Sequence, residues 1–226
     1  MKTLSRVFTV FTLIFAMGFA GTTPVLSRAS AVPGQSGLKA QILAGIEATY
    51  ANKSFSADFN QAARLSALDI TETATGRAWF SHPGRMRWLY LVPDHHEIIT
   101  NGESLWIYRP GENQVMQGSA APFFQAGAGG AFLSDITRIR TDFTITLDRA
   151  DDTFAELILI PEKESPDLSS IRITVDRPSH EIQMVVTENV YGDTTRFIFT
   201  NIRFHTPDPS MFTFIVPDGT SVIDMN

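Results

Sequence analysis

The 226-residue chain has no cysteine. That absence excludes disulfides, thiolate metal sites, cysteine nucleophiles and a lipid anchor on an N-terminal cysteine, so the fold is held by its core alone. No apolar run reaches the roughly 20 residues that span a bilayer. Positive charge is scarce: 18 Lys and Arg stand against 24 Asp and Glu, for a net −6. A nucleic-acid partner needs a basic face, so the charge balance disfavours that class of function. Catalytic signatures are missing as well. There is no G-x-S-x-G elbow, and Gly127-Ala128-Gly129-Gly130 lacks the lysine and the strand-to-helix context of a phosphate loop. Among five histidines only His95 and His96 are neighbours, and adjacent strand residues point to opposite faces. No enzyme activity, metal or cofactor is expected.

What is present begins with a signal-like N-terminus. Lys2 and Arg6 precede the 14-residue apolar run Val7–Ala20, and Ala29-Ser30-Ala31 offers a cleavage site. Residues 1–31 are therefore expected to be a signal peptide, with export to the periplasm. Residues 32–226 form one domain, holding 15 basic and 24 acidic residues. Phenylalanine is in excess, at 17 against 4 Tyr and 3 Trp. Phe carries no polar handle, so a Phe-rich core and an apolar-lined pocket are both open readings.

Leu38, Ile42, Leu43, Ile46 and Tyr50 keep helical spacing and predict an amphipathic helix over 38–52. The period then falls to two. Short strands are predicted around Phe55–Phe59, Ala78–Phe80, Met86–Tyr90, Ile98–Ile99, Leu105–Tyr108, Gln114–Gln117, Phe143–Leu147, Phe154–Ile160, Ile171–Val175, Ile182–Glu188, Arg196–Phe204 and Phe212–Val216. Asn101-Gly102 reads as a two-residue hairpin turn. Regularly spaced short strands predict one antiparallel sheet, strongly curved or partly closed. Leu105–Tyr108, Leu157–Ile160 and Phe197–Phe199 are apolar on both faces, so their second face needs a cover. The helix and the Gly-rich apolar segment Ala121–Asp135 are the pieces available for it.

The order of these motifs resembles the periplasmic outer-membrane lipoprotein carrier family, LolA. It runs through Phe55-Ser56-Ala57-Asp58-Phe59-Asn60-Gln61, Gly76-x-x-Trp79, Pro83, Trp88, Pro93, Asn101-Gly102-x-x-Leu105-Trp106-x-Tyr108, Pro122-Phe123-Phe124 and Phe212–Gly219. The resemblance implies a mainly β fold with some α: an incomplete half-barrel of antiparallel sheet covered by an N-terminal helix and a short helical lid. It implies a periplasmic chaperone that takes acylated lipoproteins from an inner-membrane ABC-type release complex and passes them to an outer-membrane lipoprotein receptor, as a monomer, with no nucleic acid, cofactor or catalytic residue. Expected lipid contacts are Trp79, Met86, Trp88 and Trp106 on the wall and Phe123, Phe124 and Phe132 on the lid. His82 stands where well-known members carry a lid-locking arginine, so either the lid is held more weakly or Arg85 or Arg87 substitutes. The alternatives are a half-barrel lipid-sensing regulator of an envelope stress pathway, whose known examples add a second domain, and a lipid-modifying hydrolase.

Overall fold

Pro33 opens the first helix, α1 (Pro33–Tyr50), at a position where its missing N–H costs nothing. A computed structural model describes residues 33–125 and 128–225. The expected signal segment 1–31 lies outside the described residues, as do the side chains of 33–35, 124–125 and 128–131. After α1 come β1 (Phe55–Leu65), β2 (Ile70–Ser81), β3 (Arg85–Val92), β4 (His96–Thr100), β5 (Ser104–Arg109) and β6 (Gln114–Ser119). A helical stretch follows: α2 (Ala120–Gln125), a 3-10 segment (Ala128–Arg138) and α3 (Ile139–Asp142). The chain then returns to strands β7 (Phe143–Ala150), β8 (Phe154–Pro161), β9 (Ser170–Asp176), β10 (Ile182–Glu188), β11 (Thr194–Phe204) and β12 (Ser221–Asp224).

All twelve strands join one unclosed sheet in the order β12-β6-β5-β4-β3-β2-β1-β11-β10-β9-β8-β7. Two meanders, β1–β6 and β7–β11, are stitched together by the long β1–β11 pair. Register shifts at β1/β11, β2/β3, β7/β8 and β9/β10 bend the ladder, which is how a wide sheet becomes a trough. The expected half-barrel with helices is therefore present.

Burial alternates along the strands. Met86, Trp88 and Tyr90 of β3, Leu157 and Leu159 of β8, and Phe197 and Phe199 of β11 all turn into the concave face. Ile42, Leu43, Ile46 and Tyr50 of α1 pack into the same core. The Tyr50 hydroxyl accepts a 2.9 Å hydrogen bond from the Ile182 N–H, and Lys39 Nζ donates to the Ile145 carbonyl on the free edge strand β7.

Three expectations change. The Phe212–Val216 segment is no strand. A short 3-10 turn (Pro209–Phe212) and extended chain lie over the outer face, where Phe212 is buried and Phe214 sits 5.1 Å from the Tyr108 ring. The last strand is β12 instead, added parallel to β6. The two-residue turn is Gly102-Glu103, one position later than Asn101-Gly102: the Asn101 N–H donates to the Ser104 carbonyl at 3.4 Å, and Asn101 Oδ1 accepts from the Glu103 and Ser104 N–H groups. Finally, α1 and the 3-10 segment both lie on the concave side. The second face of Leu105–Tyr108 is thus covered by the C-terminal segment, while Ile160 and Ile198 remain exposed outside, at 44% and 37%.

The outer face carries one buried acid. Glu156 accepts from Arg149 at 2.6 Å and lies 3.5 Å from Arg172. The Arg149 hydrogen bond holds its carboxyl below the usual carboxylate range. A depressed folded value adds stability above the unfolded value and loses it as pH falls through the folded one. The melting-temperature gap between wild type and Glu156→Gln is therefore expected to be widest near neutral pH and to close below roughly pH 4. A gap that does not change with pH contradicts this.

Candidate functional site

The concave face is built from aromatic rings that the register brings together. Trp88 has ring neighbours at 5.0 Å (Phe59), 5.1 Å (Phe197) and 5.4 Å (Phe80), and its indole N–H points at the Met86 sulfur. Tyr90 lies 4.9 Å from Phe59 and stacks on His96 at 4.1 Å. Burial pushes the Tyr90 phenol above its ordinary value, so it stays neutral, and pushes the His96 imidazole below its own. Along the row Trp88, Ile98, Ile107, Met116, which crosses β3 to β6, burial thins out. Trp88 is inaccessible, whereas the other three are half-buried.

Leu133, Ile136 and Ile139 are buried over this face, and Phe123 and Phe132 are half-buried against its core. Leu133 and Ile136 stand three residues apart in the 3-10 segment, the repeat of a 3-10 helix, so they share one side of it, and Ile139 opens α3 three residues further on. Polar contacts hold this cover down. His82 Nδ1 lies 3.4 Å from Asp135 Oδ1, with both side chains one-quarter exposed. The Gly84 N–H donates to the Ser134 carbonyl at 3.2 Å, and Arg140 of α3 pairs with Glu47 of α1.

Of the expected wall residues, Met86 and Trp88 face the concave surface. Trp79 and Trp106 do not. Trp79 sits on the other side of β2 from Ala78 and Phe80, 5.3 Å under the Arg77 guanidinium, and Trp106 packs outside at 6.5 Å from Phe214. The Phe124 side chain lies outside the described residues. His82 reaches the cover, but neither nearby arginine takes its place. Arg85 donates to the His82 carbonyl and overlies Phe212, while Arg87 pairs with Glu97 at 2.5 Å and donates to the Met211 carbonyl. Residues absent from the sequence-based set are Phe59, Phe80, Tyr90, Phe197 and Phe199 on the wall and Leu133, Ile136 and Ile139 on the cover. Period-two counting from Phe55 and Ala57 already points Phe59 inward.

Gln61 is also absent from that set. Cross-strand register gives the row Ala74, Gln61, Phe197, Val185, Ile173, Leu157, Leu147, in which Gln61 alone is polar. Its Oε1 is buried and has no hydrogen-bond partner. Leaving such an atom unpaired costs about 1–3 kcal/mol. Among the described residues, no cluster of three or more His, Asp or Glu is placed to hold a metal, and no helix is long and apolar enough to cross a membrane.

An unclosed, curved sheet whose hollow is aromatic and filled by its own helical cover defines a lidded half-barrel protein. Residues 51–215 match the family described as outer membrane lipoprotein carrier protein LolA, and the chain belongs to that family. An outer-membrane lipoprotein carrier protein of Chromobacterium violaceum is 28% identical over 206 residues, covering 89% of this chain and 95% of that one. One from Yersinia pestis bv. Antiqua is 27% identical, covering 76% and 82%. Among solved structures, an uncharacterized conserved protein from Thermus thermophilus aligns with TM-score 0.54 at 10% identity, over 83% of this chain and 99% of that one. MucB aligns with TM-score 0.50 at 16% identity, over 83% of this chain and 66% of that one. These two likenesses concern the fold alone.

Proposed function

We propose that this protein is a periplasmic chaperone for acylated lipoproteins. It takes them as they leave an inner-membrane ABC-type release complex and hands them to an outer-membrane lipoprotein receptor, acting as a monomer and without turnover chemistry. The observation that carries this reading is the apolar hollow occupied by the protein's own Leu133, Ile136 and Ile139. Exposing acyl chain to water costs about 0.8 kcal/mol per methylene, roughly 12 kcal/mol for one long chain. Met86, Trp88, Phe59 and Phe197 supply a surface that removes that cost once the lid swings off. Because lid and cargo compete for the same surface, the net affinity is the difference between the two, and cargo remains deliverable. Family membership and the carrier names of the relatives support the cargo class.

Titration with a palmitoylated peptide and its unacylated twin tests this. Saturable binding of the acylated peptide alone is expected; equal binding of both, or of neither, contradicts it.

In this reading His82 is the lid latch. His82→Ala removes the contact to Asp135, a partly exposed pair of the order of 0.5–1 kcal/mol. It is expected to tighten acyl-peptide binding by about two- to fivefold. His82→Arg is expected to weaken it, through stronger donation to Asp135. A loss of affinity in His82→Ala makes His82 a ligand contact instead.

A further inference from the structure

We propose that Gln61 is the polar contact for the carbonyl linkage, ester or amide, at the head of a bound acyl chain, and that it sets how deep the chain sits. This rests on the acyl-carrier reading. A chain drawn into the hollow brings its linkage carbonyl with it, and a carbonyl removed from water needs a donor. The rest of the Gln61 row is aliphatic or aromatic and has none to offer. A carboxamide has two N–H donors and an acceptor oxygen, and a half-turn about its terminal torsion exchanges Nε2 and Oε1, so the one side chain serves an ester or amide carbonyl as donor once turned over, or an amide N–H as acceptor as it stands. The large majority of buried side-chain oxygens are satisfied within the fold, whereas this Oε1 is buried, unpartnered and set in an apolar row of the concave face.

Its position also fits. One layer further along the same face, Ala63 stands opposite Thr195 and Glu72, and Thr195 opposite Thr187. Across β2, β1, β11 and β10 the concave surface thus turns from apolar to polar just beyond Gln61, at the end of the trough carrying the β1–β2 turn, whereas β9 and β8 continue the row with buried Ile171 and Leu159. That boundary is where the head of a buried chain must emerge. The chain's methylenes then run from Gln61 past Phe59 and Trp88 toward the lid end of the trough, where His82 holds Asp135.

Two probes differ only in the carbonyl: 1-palmitoyl glycerol, an ester, and 1-hexadecyl glycerol, an ether. Calorimetric titration below their aggregation concentrations gives the affinity ratio. Wild type is expected to bind the ester about tenfold more tightly. Gln61→Leu and Gln61→Met are expected to bind both lipids with the wild-type ether affinity, which also reports an intact hollow. Gln61→Glu, an acceptor facing an acceptor, is expected to bind the ester more weakly than either apolar variant. Equal affinity for the two lipids in wild type, or an ester preference surviving in Gln61→Leu and Gln61→Met, overturns the assignment. Wild type binding neither lipid overturns the carrier reading itself, and this inference with it.

Discussion

Shortening Ile136 to alanine is expected to make the protein hold cargo more tightly, even though an apolar side chain is lost from the site. Ile136 is buried between lid and sheet, at 2% exposure. Truncating such a residue costs about 2–5 kcal/mol in its packed state. That state is the closed one, so closure weakens while the aromatic wall is unchanged. With about 2 kcal/mol lost from closure, the apparent affinity for an acylated peptide rises about thirtyfold. Transfer to an acceptor slows correspondingly. Ile173→Ala, on the sheet itself, removes a buried side chain of similar size that serves the open state as well. It is expected to lower both stability and affinity. If Ile136→Ala also lowers affinity, lid and ligand do not compete for one surface.

Gly76→Ala is expected to damage the fold itself. A Cβ at Gly76 falls 2.0 Å from the Leu89 carbonyl oxygen and 2.8 Å from Phe59 Cζ. The first is backbone and has no rotamer to retreat to. The position adjoins the register shift between β2 and β3, where the strands cross closely. Overpacking costs roughly 1–3 kcal/mol when side chains can yield, and here they cannot, so at least about 3 kcal/mol is expected. For a domain of this length that lowers the melting temperature by about 6–12 °C. An unchanged melting temperature contradicts the close approach of Leu89. Gly45 is a milder case, because its neighbour at 2.0 Å is the His180 ring, which can rotate.

Much of the architecture was legible because strand burial has a period of two. Phe55, Ala57 and Phe59 turn inward together, and Met86, Trp88 and Tyr90 do likewise. The same parity excludes Trp79 from the wall, since Ala78 and Phe80 flank it and face inward. Trp106 offered no such cue, because Leu105 to Tyr108 are all apolar and only the C-terminal segment decides which face is outer. Leu133, Ile136 and Ile139 give no such cue for a different reason. Leu133 and Ile136 lie in a 3-10 segment beside a Gly-rich stretch and Ile139 opens α3, so no sustained 3.6-residue period marks them. Phe212 and Phe214 alternate as a strand does, but they serve as wedges on the outer face rather than ladder partners. Gln61 closes the run Phe55-Ser56-Ala57-Asp58-Phe59-Asn60-Gln61, yet its isolation among apolar neighbours exists only once seven strands are in register.

The most direct test of the central claim is native mass spectrometry of the protein purified from the periplasm of cells producing an acylated lipoprotein. The account predicts a one-to-one complex with that lipoprotein and none with the same cargo lacking its lipid-bearing cysteine. Recovery of free lipid alone, or of acylated and unacylated cargo equally, contradicts it.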